Sequence, residues 1–319
     1  MSRSTAPSGP VAGTLDAGGE HTAEDHGTER YEAETYKAET YKAERHETER
    51  HEAEAYEAEA YEAERHEAER HEAERHEAEA YVAARVGGAL EAVFDAVAGT
   101  RADTTALLAR VAAEGRRPVT ADLAALRPGL HLRLTRQELV SGVGFVAAPG
   151  VLADVPAWLE WWQSDAAGDV RPLLLDLDPR TSAYSDYTHW DWFALPRDTG
   201  RRAVAGPYVD YLCSDEYSLT LSAPVEVAGR FLGVAAADVY LRHFEAAALP
   251  LLRELPGPAR LVNARGRVAA SADPAHLAGS LTKGPDFAAV LENGTPGTSA
   301  GLRLTPCRGV PLVLVVDGG

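Results

Sequence analysis

The sequence predicts an α+β protein, and three observations carry that reading. A long stretch with helical spacing comes first, strand signals joined by short hairpin connections follow, and a further helix and two more hairpins close the chain. Helices grouped before and between antiparallel strands argue against a parallel doubly wound sheet.

The first apolar helix is set by Val82, Val86, Leu90, Val93, Phe94, Val97 and Ala98, whose three-and-four spacing puts them on one face. Gly87 and Gly88 weaken it. The same face suits pairing of two helices, so a homodimer, if one forms, is expected through residues 82–98. Residues 104–113 continue helically, and residues 118–126 read as a short helix capped by Thr120.

Strand signals cover residues 139–147, 171–176, 217–227 and 231–240, the last two joined by Ala228-Gly229-Arg230. Between the first two of these, Trp161-Trp162 reads as a helix face packed on the sheet. Residues 243–254 return to helix, apart from the break expected at Pro250. Two hairpins remain, 259–271 turning at Ala264-Arg265-Gly266 and 302–317 turning at Arg308-Gly309.

The net charge of −18 is unevenly spread. Residues 31–80 hold 18 Glu against 7 Lys plus Arg, a net of −11, which leaves only about −4 from Tyr81 onward. A nearly neutral module behind an acidic tail argues against nucleic acid as a partner, because phosphate binding needs a basic face. The longest apolar run, residues 231–239, is too short to span a bilayer, and residues 1–19 lack the apolar core of a signal peptide. Cys213 and Cys307 stand without motif spacing and read as reduced core residues. A cytoplasmic protein without membrane attachment is expected.

From Tyr31 to Tyr81 a ring recurs every fifth residue, in units close to [YH]-E-A-E-[RAT]. On a helix each such step rotates the ring by about 140°, so no stripe forms and neither a coiled-coil seam nor a core face results. The five histidines of the repeat fall on different faces, which disfavours a shared metal ion. Residues 1–80 are therefore expected to be a low-complexity tail, disordered or an isolated helix, without tertiary contacts. Residues 81–254 and 255–319 would form two lobes.

The chemistry concentrates in residues 184–238. Tyr187, Trp190, Trp192, Phe193 and Tyr208 accompany Asp191, Asp210 and Asp238 there. Aromatic faces beside carboxylates suit a small organic cation, since cation–π attraction and ion pairing act on the same charge. The stretch lacks a nucleophile–base pair: His189 and Asp191 would share a face of an extended segment, but nothing nearby offers them a nucleophile.

Trp192-Phe193, then Gly206-Pro207-Tyr208-Val209-Asp210, residues 219–225, and Gly233-Val234 ending in Asp238 resemble the strand-and-loop core of Cache domains. These are the PAS-like sensor modules of bacterial chemoreceptors and histidine kinases. Residues 259–271, followed by Asp273-Pro274, resemble the start of the smaller second lobe of double Cache domains. The resemblance spans roughly residues 85–319. It implies a PAS-like antiparallel sheet behind a long helix, and a ligand pocket between that sheet and the loop 177–207.

In amino-acid-sensing members an Arg two positions before the Trp anchors the ligand carboxylate, while a Tyr and two Asp hold its amino group. Here Trp190 stands at the Arg position and Phe193 at the second aromatic one; Asp210 and Asp238 match the amine-binding acids, and Tyr184 or Tyr187 the upstream Tyr. The resemblance thus implies a binding protein for a small amine or amino-acid-like ligand. Its ligand-binding residues would be Tyr187, Trp190, Trp192, Phe193, Tyr208, Asp210 and Asp238, with no cofactor and no metal. Chemoreceptor and kinase output modules have no counterpart in the sequence, so a separate regulatory protein would carry the signal. The competing readings are a metal-dependent enzyme using Asp176, Asp178 and Asp210, two of which share one strand face, and a non-catalytic scaffold.

Overall fold

The computed structural model describes residues 25–165, 168–177, 180, 186–210 and 216–318. Tyr184, Asp178, Cys213, Ser214 and Asp215 lie outside the described residues. Two compact units divide the chain, residues 1–71 and residues 72–319.

Helix α1 spans Asp25–Ala113. In the first unit every described side chain from Arg30 to His71 is exposed, Tyr31, Tyr36, Tyr41, Tyr56 and Tyr61 included. That is the outcome of the five-residue period, which leaves no face to bury.

Within the second unit α1 is a core element. Val82, Val86, Leu90, Val93, Phe94 and Val97 are buried in the main hydrophobic cluster. The face expected to pair two copies is thus consumed inside the protein, and a homodimer would need another surface. Gly87 serves close packing: a Cβ there would come within 2.8 Å of the Arg308 carbonyl oxygen. The tail also ends sooner than expected. Glu79, within the last repeat, is buried, accepts the Arg303 Nε–H, and takes a 3.4 Å hydrogen bond from Thr305 Oγ1.

After α1 come a helical turn α2 (Thr120–Leu123), a short 3-10 segment and helix α3 (Arg127–Arg136). Val119, not Thr120, precedes the first turn, and the Thr120 hydroxyl donates to Asp154 at 2.7 Å instead.

The first sheet contains β1 (Gly142–Ala147), β2 (Leu159–Ser164), β3 (Val170–Pro172), β4 (Ala203–Val209), β5 (Tyr217–Val227) and β6 (Arg230–Tyr240). Its order is β3-β2-β1-β6-β5-β4, with antiparallel pairing throughout. Trp161 and Trp162 sit on β2, so the helix expected there is a strand. Of the strand expected at 171–176 only Val170–Pro172 pairs. Helix α4 (Asp191–Thr199) replaces the extended segment expected around Asp191.

Alternation along β6 divides the sheet. Ala235, Ala237 and Val239 join the cluster containing α1, whereas Val234 and Ala236 face a second cluster with Trp161, Trp192 and Phe193. Asp238 continues the second face.

Helix α5 (Leu241–Leu252) passes through Pro250 without a break and leads to the second sheet. That sheet comprises β7 (Ala259–Asn263), β8 (Val268–Ser271), β9 (Gly297–Ser299), β10 (Leu302–Pro306) and β11 (Leu312–Asp317), in the order β8-β7-β11-β10-β9. Helix α6 (Phe287–Asn293) precedes β9, and Phe287 packs with Val262, Val313 and Val315. Inside this lobe Arg260 is buried between Asp273 at 3.0 Å and Asp317 at 3.1 Å. The fold is therefore α+β: two antiparallel sheets behind a long N-terminal helix.

Candidate ligand site

Antiparallel register puts Thr220 of β5 opposite Asp238 of β6, and Asp238 opposite Gly142 of β1. Their side chains project to one face, where β4 ends and delivers Asp210. Asp210 and Asp238 are both buried, and they line one small cavity with Trp161, Trp192, Tyr208 and Thr220. Val146, Leu159 and Ala236 complete its walls.

Small residues on β1 seat the Trp161 wall. A Cβ on Gly142 would lie 2.8 Å from Trp161 Nε1, and one on Gly144 would lie 2.8 Å from Trp161 Cε3. The Trp161 ring therefore lies flat over β1 only because both positions lack a side chain.

A chain of hydroxyls serves Asp238. Thr220 Oγ1 donates to Asp238 Oδ1 at 2.6 Å, and the Tyr208 hydroxyl sits 2.6 Å from Thr220 Oγ1. With the Thr220 proton directed at the carboxylate, Tyr208 is the donor to Thr220. Burial and the neighbouring Asp210 charge push the Asp238 carboxyl well above the usual carboxylate range, only partly offset by the Thr220 hydrogen bond. Two buried carboxylates walled by indole and phenol rings form a site that a cation would relieve.

The seven residues read from the sequence separate into groups. Trp192, Tyr208, Asp210 and Asp238 meet at the acid cavity. Tyr187 is fully buried beside it, donates to the Ala147 carbonyl oxygen at 2.6 Å and stacks on Trp192, so its role is to hold that wall. Its phenol is pushed up to about 12 by burial. Phe193 packs between Tyr187 and Phe231. Trp190 faces an adjoining groove between the two sheets, 5.8 Å from the Tyr208 ring. Arg202 pairs with Glu91. Thr220 was not singled out from the sequence, and Trp161 was read there as part of a helix face rather than as a wall of the site. For the enzyme reading, Asp178 lies outside the described residues, and among the described residues no group of three His, Cys, Asp or Glu could hold a metal ion.

The fold is similar to that of sensor domains of the PDC, or Cache, class. The family model of the methyl-accepting chemotaxis protein-like first PDC sensor domain matches residues 173–246, the stretch that contributes Trp192, Tyr208, Asp210, Thr220 and Asp238. Among solved structures the chain is similar to methyl-accepting chemotaxis protein X, with a TM-score of 0.55 and 19% identity over 74% of this chain and 93% of that one. It is also similar to the extracellular domain of mmHK1S-Z2, described as a histidine kinase, with a TM-score of 0.52 and 16% identity over 77% and 95% of the two chains. These likenesses establish the fold. No curated protein shows significant sequence similarity to the chain.

Proposed function

We propose that this sensor domain binds a small organic amine or amino-acid-like cation, with its ammonium group between Asp210 and Asp238. The observation that carries the reading is the burial of both acids in one cavity walled by Trp161, Trp192 and Tyr208. A protonated amine offsets one of the two buried negative charges, donates charge-assisted hydrogen bonds to both carboxylates and meets the ring faces. The signal passes to a separate protein, and the setting is cytoplasmic. Cross-linking in cells and fractionation test those two parts.

Calorimetry with a panel of amines and amino acids tests the binding itself. Asp238→Asn or Asp210→Asn should weaken the best ligand by about 2 kcal/mol, roughly thirtyfold. Binding unchanged in both variants would place the ligand elsewhere.

A further inference from the structure

Two cavities of about 720 and 700 Å³ lie between the two lobes. Val204 of β4 and Pro311 of the second lobe line both, so the two form one cleft. Strand β4 is an edge of the first sheet and runs along it: Ala203 and Val204 line one cavity, and residues 204–208 line the other. Asn263 Nδ2 donates to the Gly206 carbonyl oxygen at 2.8 Å, which ties the second lobe to this edge. Together the cavities exceed the roughly 300–1,000 Å³ that encloses one small ligand.

The cleft is basic along its length. Arg201, Arg202 and Arg308 line the first cavity and Arg265 and Arg267 the second, while Asp191 is the only acid among the described lining residues. Arg265 meets Asp191 at 3.0 Å, and Arg202 pairs with Glu91 while lying 4.2 Å over the Phe94 ring. Arg201, Arg267 and Arg308 make no ion pair among the described residues, and Arg267 is oriented by donating Nη1–H to the Gly279 carbonyl oxygen at 2.7 Å. Apolar surface lies between these charges: Leu195 of α4 is exposed and Leu291 half-buried at the first cavity.

We infer that this cleft docks an extended acidic segment of a partner protein. This rests on the reading that the signal passes to a separate protein, and it is independent of the amine. Arginines in both cavities suit carboxylates spaced along a chain, since one small anion meets only one end. The seven residues of β4 extend over about 23 Å, so a peptide of similar length lies along this edge and turns alternate side chains to the two walls. Leu195 and Leu291 meet its apolar side chains, while the arginine–carboxylate pairs fix its register. A nucleic acid fits less well. Residues from Tyr81 onward carry a net charge of about −4, which opposes a long polyanion but not a short acidic stretch seated on the arginines.

The experiment measures fluorescence anisotropy on the full chain with labelled peptides of about eight residues that alternate Glu with Leu or Ser, their Gln counterparts, and an oligothymidylate of similar length. The Glu peptides should bind at least about tenfold more tightly than the Gln peptides, with the advantage shrinking as salt is added. Combining Arg201→Glu, Arg267→Glu and Arg308→Glu should erase that advantage. Combining Arg230→Glu with Arg253→Glu, both exposed and outside the cleft lining, should keep it within about twofold. Melting curves establish that each variant is folded. The inference is overturned if the parent shows no preference for Glu, if the preference survives the cleft reversals, or if the oligonucleotide binds more tightly than either peptide. Sedimentation gives the last arm: self-association of the full chain that the cleft reversals abolish would make the occupant a second copy and overturn the assignment to a partner. Each of these failures leaves the amine reading standing, because the calorimetry that tests it uses no peptide.

Discussion

Burial beside Asp210 raises the Asp238 carboxyl, so the ligand-free folded protein holds a proton that the unfolded chain releases at lower pH. An acid raised on folding contributes stability that is present in full below its unfolded value, near 3.9, and is lost as pH climbs toward the folded value. Urea unfolding of the free protein should therefore show a fall in stability above about pH 4 that is smaller in Asp238→Asn, and equal slopes in parent and variant would refute it. Ligand binding has the opposite sign. An ammonium group stabilises the ionised pair, so binding expels protons, and affinity should rise with pH until Asp238 is ionised in the free protein. Calorimetry in buffers of different ionisation enthalpy reads this directly as proton release. Thr220→Val keeps the shape at β5 but removes a hydrogen bond that favours the Asp238 carboxylate. It should cost roughly tenfold in amine affinity and move the pH dependence upward; an unchanged profile would mean that the hydroxyl chain is incidental.

That Thr220 faces Asp238 at all depends on an irregularity in the β5–β6 hairpin. Near the turn, Val227 pairs with Arg230 and Glu226 with Phe231; beyond it, Val225 pairs with Gly233, so Leu232 is an extra residue. Without that bulge Thr220 would oppose Ala237, and the acid would slip out of register with its hydroxyl partner. Gly233 makes the bulge possible. Its φ of +141° lies where side chains are strained, and a Cβ would collide with the Val146 carbonyl oxygen on β1. Gly233→Ala should lower stability by about 2 kcal/mol or more and weaken amine binding together with it, measured by denaturation midpoint and calorimetry. The β5–β6 hairpin was legible because its alternation and turn length agree. The β2 strand was not: Trp161 enters the site while Glu160, buried on the other face, takes hydrogen bonds from Arg127 and Trp162. A strand buried on both sides loses the period of two that reveals a strand. Asp210 and Asp238 were indicated by the family resemblance, whereas Trp161 packs over the two glycines of β1, a cross-strand fit that sequence order hides.

At the scale of the whole molecule, the two units should unfold by different rules. From Arg30 to His71 the helix buries nothing, and its pairs, such as Arg45 with Glu49, stand in water where they are worth little. Helix without tertiary support is marginal and melts gradually, while residues 72–319 are joined by a main apolar cluster that draws on both sheets and should melt as one transition. Trypsin should therefore cut first at Lys37, Lys42, Arg45, Arg50, Arg65 and Arg70. The fragment that survives should begin near His71 or His76 and melt within a few degrees of the full chain, because Glu79 and its contacts remain. The Glu79–Arg303 pair sets where this tolerance stops. Glu79 has only 2% of its side chain exposed and Arg303 only 14%, so Glu79→Ala leaves a guanidinium largely out of water with no carboxylate. That should cost about 3 kcal/mol, on the order of 6–12 °C for a unit of this size. Removal of residues 1–80 should destabilise by a similar amount, whereas removal of residues 1–71 should not. If Glu79→Ala melts with the parent, or if the first trypsin cut falls at Arg85 or Arg101, the anchor assigned to the last repeat is wrong and the folded unit begins further along α1.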